Sequence, residues 1–215
     1  TVLTTCARAK PGAASLVEGT MPVTPDPVTR QARALDQTEA IIVGIRADQD
    51  QLPTPCRSWE VKALVAHLIH DLGNFNERAS GGTPNWSVPA PAVEGGYAEA
   101  FQEGSKALVE AWRAAGDQGG TIEMPGMGTV AKRFPIDQQI TELAVHGWDL
   151  AIATAQPRDL DLEVGETALT WARTALRPEF RGSEDEGKAF GPEVAVPEDA
   201  PLYDRLAGFF GHRPL

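Results

Sequence analysis

The sequence predicts a mainly α-helical fold, a bundle of antiparallel helices with one small β-hairpin. Five stretches repeat apolar residues every three or four positions, as the buried face of a helix does. In the stretch 121–134, β-compatible residues flank a Pro-Gly pair, which is typical of a hairpin turn. With 215 residues, the chain is long enough for one ordinary domain with a sizeable core.

The predicted helices follow one another along the chain with short breaks. Two prolines in Leu52–Pro55 separate the first helix from the second, and Ser58 is suited to cap the start of the second. Pro135 suits the first turn of the fourth helix, because its fixed backbone angle fits a helix start. The tail is irregular apart from one short amphipathic segment. In chain order, the expected helices are about Val28–Asp48, Ser58–Phe75, Tyr97–Ala115, Pro135–Ala155, Val164–Leu176 and the tail segment Leu202–Phe210.

The composition argues against several classes of protein. Nineteen Lys and Arg residues against 30 Asp and Glu give a net charge of −11, whereas binding to nucleic acid or to an anionic membrane needs clustered positive charge. No apolar run approaches the ~20 residues of a membrane span. Two cysteines, Cys6 and Cys56, are too few for a disulfide scaffold or a Cys-rich zinc module.

The first 25 residues mix Thr, Ala, Gly and Pro with few large apolar side chains. The charged and apolar regions of a signal peptide are missing from this stretch. We therefore expect residues 1–25 to be a flexible extension and residues 26–215 to form a single domain. The expected location is the cytoplasm, and both a monomer and a homodimer are compatible with the sequence.

The fourth predicted helix carries a polar stripe between two apolar faces. Gln139, Glu142, His146 and Asp149 recur at a spacing of three or four residues and so share one side of the helix. Apolar residues on both sides predict a largely buried helix, whose polar stripe needs partners or a function. Glu142 and His146, one turn apart, can bind one divalent ion together. The same spacing also suits a hydrogen bond between these two side chains.

A further metal ligand would come from another helix. His67 and His70 lie in the second predicted helix, His67 at the edge of its apolar face and His70 nearer to solvent. A histidine at the edge of the core is the alternative interpretation for each of them. His212, in the tail, is expected to be exposed, and Trp86 to lie at the mouth of a pocket. The tryptophans at apolar helical positions are expected in the core: Trp59, Trp112, Trp148 and Trp171.

Five segments together resemble one known superfamily. They are Thr54–Val61 (TPCRSWEV), Leu64–Leu68 (LVAHL), Glu142–Ala151 (ELAVHGWDLA), Phe190–Pro197 (FGPEVAVP) and Ala200–Leu206 (APLYDRL). With these segments the chain resembles the DinB-like, mycothiol-dependent maleylpyruvate isomerase superfamily, and within it the actinobacterial metal-binding-protein branch. The resemblance spans about residues 28–215, and its most specific parts are the HGWDLA segment and the tail.

The resemblance implies a four-helix bundle that holds one divalent metal ion. In the superfamily, a histidine on the second helix and a Glu-x-x-x-His motif on a later helix bind the metal. These ligands fall here on His67, Glu142 and His146, in agreement with the polar stripe. Zinc is the expected metal, with iron and nickel as alternatives. Three protein ligands leave one position open, where characterised relatives bind and activate a small thiol such as mycothiol.

The resemblance further implies a metal- and thiol-dependent transferase or isomerase that acts on a small electrophilic substrate. Zinc lowers the pKa of a bound thiol, and the resulting thiolate can add to an electrophilic double bond or displace a leaving group. Two other functions fit the same residues: a non-catalytic module that binds a metal or ligand, and a non-haem iron enzyme.

Three more residues are candidates for the site. His70 is an additional histidine one turn from His67, and it is a candidate for a fourth metal ligand or a proton donor. Asp149 belongs to the polar stripe and is expected either to orient His146 or to form a salt bridge elsewhere. Arg133, just before the fourth helix, is a candidate contact for a substrate carboxylate, and its alternative is a solvated arginine of the hairpin.

Overall fold

The computed structural model describes residues 26–213, apart from 57–58, 94–95, 125–126, 184–185, 187 and 189. In these residues the mainly α-helical fold with one hairpin is confirmed. The expected N-terminal extension with Cys6, the expected cap Ser58 and the Pro125-Gly126 turn lie outside the described residues. In chain order the elements are α1 (Pro27–Val43), α2 (Val61–Ala79), α3 (Tyr97–Ala114), β1 (Thr121–Met124), β2 (Gly128–Ala131), α4 (Phe134–Ala153), α5 (Leu162–Ala175) and α6 (Leu202–Phe210).

The first helix ends earlier than the sequence pattern predicts, at Val43 instead of Asp48. Gly44 caps α1: its N–H donates to the Ile41 oxygen at 3.0 Å, and the N–H of Ile45 donates to the Ile42 oxygen at 3.1 Å. The Gln156 side chain packs here too, since its Nε2 donates to the Ile41 oxygen at 2.9 Å. A Cβ on Gly44 would lie only 2.2 Å from the Gln156 amide oxygen. The Gln156 side chain, from a distant part of the chain, therefore occupies the place that the next turn of α1 would take.

The second helix begins at Val61, later than expected. Glu60 occupies the N-cap position, without a side-chain hydrogen bond. Two N–H groups at this end are satisfied by the preceding segment: Val61 donates to the oxygen of Leu52 and Lys62 to that of Asp50, each at 3.0 Å. Backbone oxygens from an earlier loop thus perform the role that the sequence suggested for a serine hydroxyl.

The centre of the fold is α4, which packs against α1, α2, α5 and α6, while α2 also packs against α3. Both of its apolar faces are buried: Ile140 and Leu143 on one side, Val145 and Trp148 on the other. The expectation of a largely buried fourth helix is confirmed. Among the described helices, none is both long enough and apolar enough for a membrane crossing.

The tail runs back over α4 and ends beside it. Trp148 donates from Nε1 to the Asp204 carboxylate at 2.9 Å, which joins α4 to α6. Gly211 ends α6 with φ of +88°, a conformation that glycine adopts readily. A Cβ there would also lie 2.9 Å from the Pro192 oxygen. This turn directs His212 back toward α4.

Candidate metal centre

Three side chains converge between α2 and α4, and we call them the histidine cluster: His67, Glu142 and His146. One ligand atom from each lies within 4.8 Å of the other two. Nε2 of His146 is 3.3 Å from Oε2 of Glu142, and the two imidazole rings meet edge to face at 5.5 Å. Glu142 and His146 share one side of α4, and α2 brings His67 to them. Two imidazoles and a carboxylate at these distances can hold one divalent ion.

Asp149 lies directly behind His146 and is fully buried. Its carboxylate accepts hydrogen bonds from Nδ1 of His146 at 2.9 Å and from Nδ1 of His212 at 3.0 Å. Burial raises the pKa of Asp149, but these hydrogen bonds outweigh burial and hold the pKa below its usual value. An ionised carboxylate only accepts, so it keeps a proton on Nδ1 of His146 and directs Nε2 toward Glu142.

The surroundings of the two imidazoles in the histidine cluster shift their pKa values in opposite directions. Burial lowers the pKa of His67 to about 4, with a further contribution from the charge of His146. For His146, burial also lowers the pKa, but hydrogen bonds to Asp149 and Glu142 outweigh it and raise the pKa to about 10. At neutral pH, His67 therefore offers a lone pair, whereas His146 carries a proton that a metal ion must displace.

Trp59 covers the histidine cluster instead of lying deep in the core. Its ring centroid is 4.3 Å from that of His67 and 5.7 Å from that of His146. Thr54 fixes this position, because its hydroxyl donates to the Trp59 carbonyl oxygen at 2.7 Å. The Thr54–Val61 segment thus places an aromatic wall on the cluster. Of the other tryptophans assigned to the core, Trp112 and Trp148 are buried and Trp171 is half-buried.

A cleft of about 960 Å³ opens beside the histidine cluster, and we call it the large cleft. His67 and Glu142 line it, together with Trp86, which is 47% exposed at its edge, as expected for a pocket mouth. His70 also lines it. Although His70 was expected nearer to solvent than His67, both are partly buried, and the His70 Nε2 is a buried atom with no hydrogen-bond partner among the described residues.

The family model for the mycothiol maleylpyruvate isomerase N-terminal domain matches residues 31–151, which include the whole histidine cluster. The chain belongs to this family. Two uncharacterised proteins, from two strains of Mycobacterium tuberculosis, are each 34% identical to the chain over 186 residues, which is 86% of this chain and 97% of each relative. No solved structure matches the chain. The resemblance to the mycothiol-dependent superfamily is therefore confirmed.

His212 lies outside the segment that matches the family, and the expectation that it is exposed is wrong. Only 15% of its side chain is exposed, and its ring stacks against that of His146 at a centroid distance of 5.9 Å. The reversal at Gly211 and the hydrogen bond to Asp149 bring it there. The glycine after two phenylalanines signals a helix end, but no local pattern shows that the next residue reaches α4.

Arg133 is the one site candidate that the structure places elsewhere. Its guanidinium donates to the Asp137 carboxylate, from Nε at 2.7 Å and from Nη2 at 3.0 Å. It is not among the described residues that line the large cleft, and lies instead in a separate groove with Arg30 and Glu166. The pairing with Asp137, one turn away on α4, explains this position.

Proposed function

We propose that this chain is a metal- and thiol-dependent enzyme, a transferase or isomerase acting on a small electrophilic substrate. One observation carries the proposal: His67, Glu142 and His146 converge at the wall of a cleft large enough for a small molecule. The family, whose description includes mycothiol, supports a low-molecular-weight thiol as the second participant. We place this activity in a single domain of residues 26–215.

The donor atoms of the histidine cluster fit a divalent metal ion. Two imidazole nitrogens and one carboxylate oxygen suit zinc, and the same set suits iron or nickel. Burial keeps His67 neutral at neutral pH, which is the state that can bind a metal. His67, Glu142 and His146 would hold the ion, and zinc bound there would lower the pKa of a thiol so that a thiolate is available near neutral pH.

Other residues of the chain support the metal ligands and the cleft. Asp149 orients His146 through the hydrogen bond to Nδ1, which makes it a positioning residue. Trp59 packs against both imidazoles and also lines the large cleft. His70 is the proposed proton donor, because its side chain lines the large cleft and its Nε2 has no hydrogen-bond partner in the part of the chain that the structure describes.

Two types of reaction fit this arrangement. With a haloarene, a carbon–sulfur bond forms, the carbon–halogen bond breaks, the halide leaves and the thiol proton passes to solvent or to a histidine. With a cis double bond conjugated to a carbonyl, the thiol adds, the resulting single bond rotates, and the thiol leaves again to give the trans isomer. In the second case we propose that His70 donates a proton to the added substrate and takes a proton back as the thiol leaves, so that none is gained or lost overall.

The test is turnover of purified protein with mycothiol and 1-chloro-2,4-dinitrobenzene, together with analysis of its metal. We expect product formation that depends on the thiol and on the metal. Glu142→Gln should lose both metal and turnover, whereas His70→Gln should keep the metal and lose rate. If neither thiol-dependent turnover nor a thiol-induced change at the metal is found, the chain is a binding module. Iron in place of zinc, with turnover that needs oxygen, would indicate the non-haem iron enzyme.

A further inference from the structure

A second, smaller cavity adjoins the histidine cluster, and the proposed function does not use it. Its volume is about 360 Å³, and we call it the aromatic pocket. Helices α4 and α5 and the tail form its walls. The rings and aliphatic side chains that dominate its lining are Phe134, Trp171, Leu176, Phe180, Phe190 and Phe210.

The aromatic pocket and the large cleft meet at the proposed metal centre. Gln138, Glu142 and Phe190 line both of them. Glu142 thus has the large cleft on one side and the aromatic pocket on the other. A molecule that fills the aromatic pocket therefore has one end next to a proposed metal ligand.

The chemistry of the aromatic pocket favours an uncharged, ring-shaped ligand. Phe134 and Trp171 meet edge to face with centroids 5.1 Å apart, and Phe190 and Phe210 do so at 5.5 Å, which gives the pocket fixed flat walls. Its described lining residues include no Lys, Arg or His, and its polar side chains are those of Gln138 and Glu142 at the end shared with the large cleft. An anionic ligand body would lose water there without gaining a positive charge from the described lining residues.

The large cleft has a different lining. Beside an apolar part that includes Trp59 and Trp86, it contains Lys62, His70, Asp71 and Asn74, which can bind the polar groups of a small hydrophilic molecule. Each cavity has a volume in the usual range for small-molecule sites. The two cavities are therefore suited to two different molecules that meet at Glu142.

We propose that the aromatic pocket binds the hydrophobic body of the electrophilic substrate, an uncharged group of one or two aromatic rings, while the large cleft binds the thiol. The assignment of the thiol rests on the proposed function. The binding of an uncharged aromatic group requires neither the metal nor the thiol, so it can be tested separately.

The test is binding of prodan, an uncharged naphthalene dye whose emission shifts to shorter wavelength in an apolar site, to the full chain as purified. We expect one dye molecule per chain. Naphthalene should displace the dye, and naphthalene-2-sulfonate should not, because its charge finds no partner in the aromatic pocket.

A matched pair of substitutions locates the dye. Ala175, the last residue of α5, lines the aromatic pocket, and Ala66 on α2 lines the large cleft; both are partly buried. Ala175→Phe fills the aromatic pocket and should weaken prodan binding by about tenfold or more, whereas Ala66→Phe should change it by less than about twofold. The smaller substitution Ala175→Leu, expected to weaken binding to an intermediate extent, serves if Ala175→Phe does not fold. Unchanged helicity and metal content show that a variant is folded.

Each outcome decides the assignment. If wild-type protein binds no prodan, if Ala175→Phe binds it normally, or if Ala66→Phe loses it, the aromatic pocket is not the site. These results would leave the metal content and the thiol-dependent turnover untouched. Conversely, a chain that binds prodan in the expected pattern but shows no thiol-dependent turnover keeps the aromatic pocket and loses the proposed enzymatic function.

Discussion

Two polar clusters of this molecule differ in how completely their charged and hydrogen-bonding groups are paired with one another. One, which we call the Arg33 cluster, joins α1 to the start of α5: Arg33, Asp161 and Glu163. There the guanidinium donates from Nε to Asp161 at 2.9 Å and from Nη1 to Glu163, so each charge meets an opposite charge at a half-exposed position. The other is the histidine cluster, where two imidazoles lie beside one carboxylate.

In the histidine cluster the pairing is incomplete. His67 is kept neutral, and its Nε2 lies 3.5 Å from the Asp71 carboxylate, which is longer than a good hydrogen bond. His146 lies between the carboxylates of Glu142 and Asp149, which raise its pKa so that both ring nitrogens carry a proton at neutral pH. The Arg33 cluster needs nothing more, whereas the histidine cluster brings one ligand atom from each of three residues within 4.8 Å of the others and leaves His67 without a close hydrogen-bond partner among the described residues. We infer that a polar group is a functional candidate when the neighbouring residues do not satisfy its hydrogen bonds or its charge.

The largest expected effect distinguishes His146, a proposed metal ligand, from His70, a histidine of the large cleft that is not proposed as a ligand. His146→Ala should reduce the bound metal from about one ion per chain to almost none, because a tetrahedral site with two protein ligands holds the ion weakly. His70→Ala, the matched control, should keep the metal. Elemental analysis of protein purified without chelator measures both, and circular dichroism checks the helices. A fully loaded His146→Ala protein would remove the distinction between the clusters.

A smaller loss is expected when the group behind His146 is changed. Asp149→Asn removes the carboxylate that fixes Nδ1 and should weaken metal affinity by roughly 10–100-fold. Asp137→Asn is the control, since Asp137 is also a buried carboxylate of α4 but pairs with Arg133 outside the cluster. Competition with a chromophoric chelator measures both affinities. Equal affinities in the two variants would show that Asp149 plays no part in metal binding.

The pH dependence of metal binding follows from the two imidazoles. The pKa of His146 is raised to about 10, so at pH 6–9 a proton competes with the metal, whereas His67, with a pKa of about 4, is already free of its proton. Raising the pH in this range therefore strengthens binding, by about tenfold per pH unit, with release of about one proton per ion. Titration calorimetry in two buffers of different ionisation enthalpy measures the proton. Affinity that is independent of pH between 6 and 9 would contradict this protonation state.

The smallest effect is expected in the Arg33 cluster. Arg33→Ala removes an exposed pairing, so the free energy of unfolding should fall slightly while metal content and affinity stay at wild-type values. Arg46→Ala, which removes a still more exposed pair with Asp48, is the control. Thermal unfolding and metal analysis are the measurements. Loss of metal from the Arg33→Ala protein would mean that the two clusters are coupled.

The sequence predicts what depends on spacing within one helix. The stripe of Glu142, His146 and Asp149 follows from three- and four-residue spacing, and the amphipathic segment Leu202–Phe210 is observed with the predicted bounds. The position of His67 on the side of α2 that meets Glu142 and His146 follows from its place beside the apolar face. These features need only the period of a helix.

Contacts made through loops and turns could not be predicted in this way. Trp59 covers the cluster because Thr54 holds its backbone, and His212 reaches Asp149 because Gly211 reverses the chain. The early end of α1 depends on Gln156, 115 residues from Ile41, to which it is hydrogen-bonded. In each case the deciding partner lies outside the local pattern, so helical periodicity carries no information about it.

The central claim is that His67, Glu142 and His146 bind one metal ion with a free position toward the large cleft. Zinc X-ray absorption of the loaded protein, with and without mycothiol, tests it most directly. We expect nitrogen and oxygen ligands at about 2.0–2.1 Å, two of them imidazoles, and one additional sulfur ligand at about 2.3 Å after mycothiol is added. A protein that binds no zinc, or whose zinc keeps the same ligands when mycothiol is present, would contradict it.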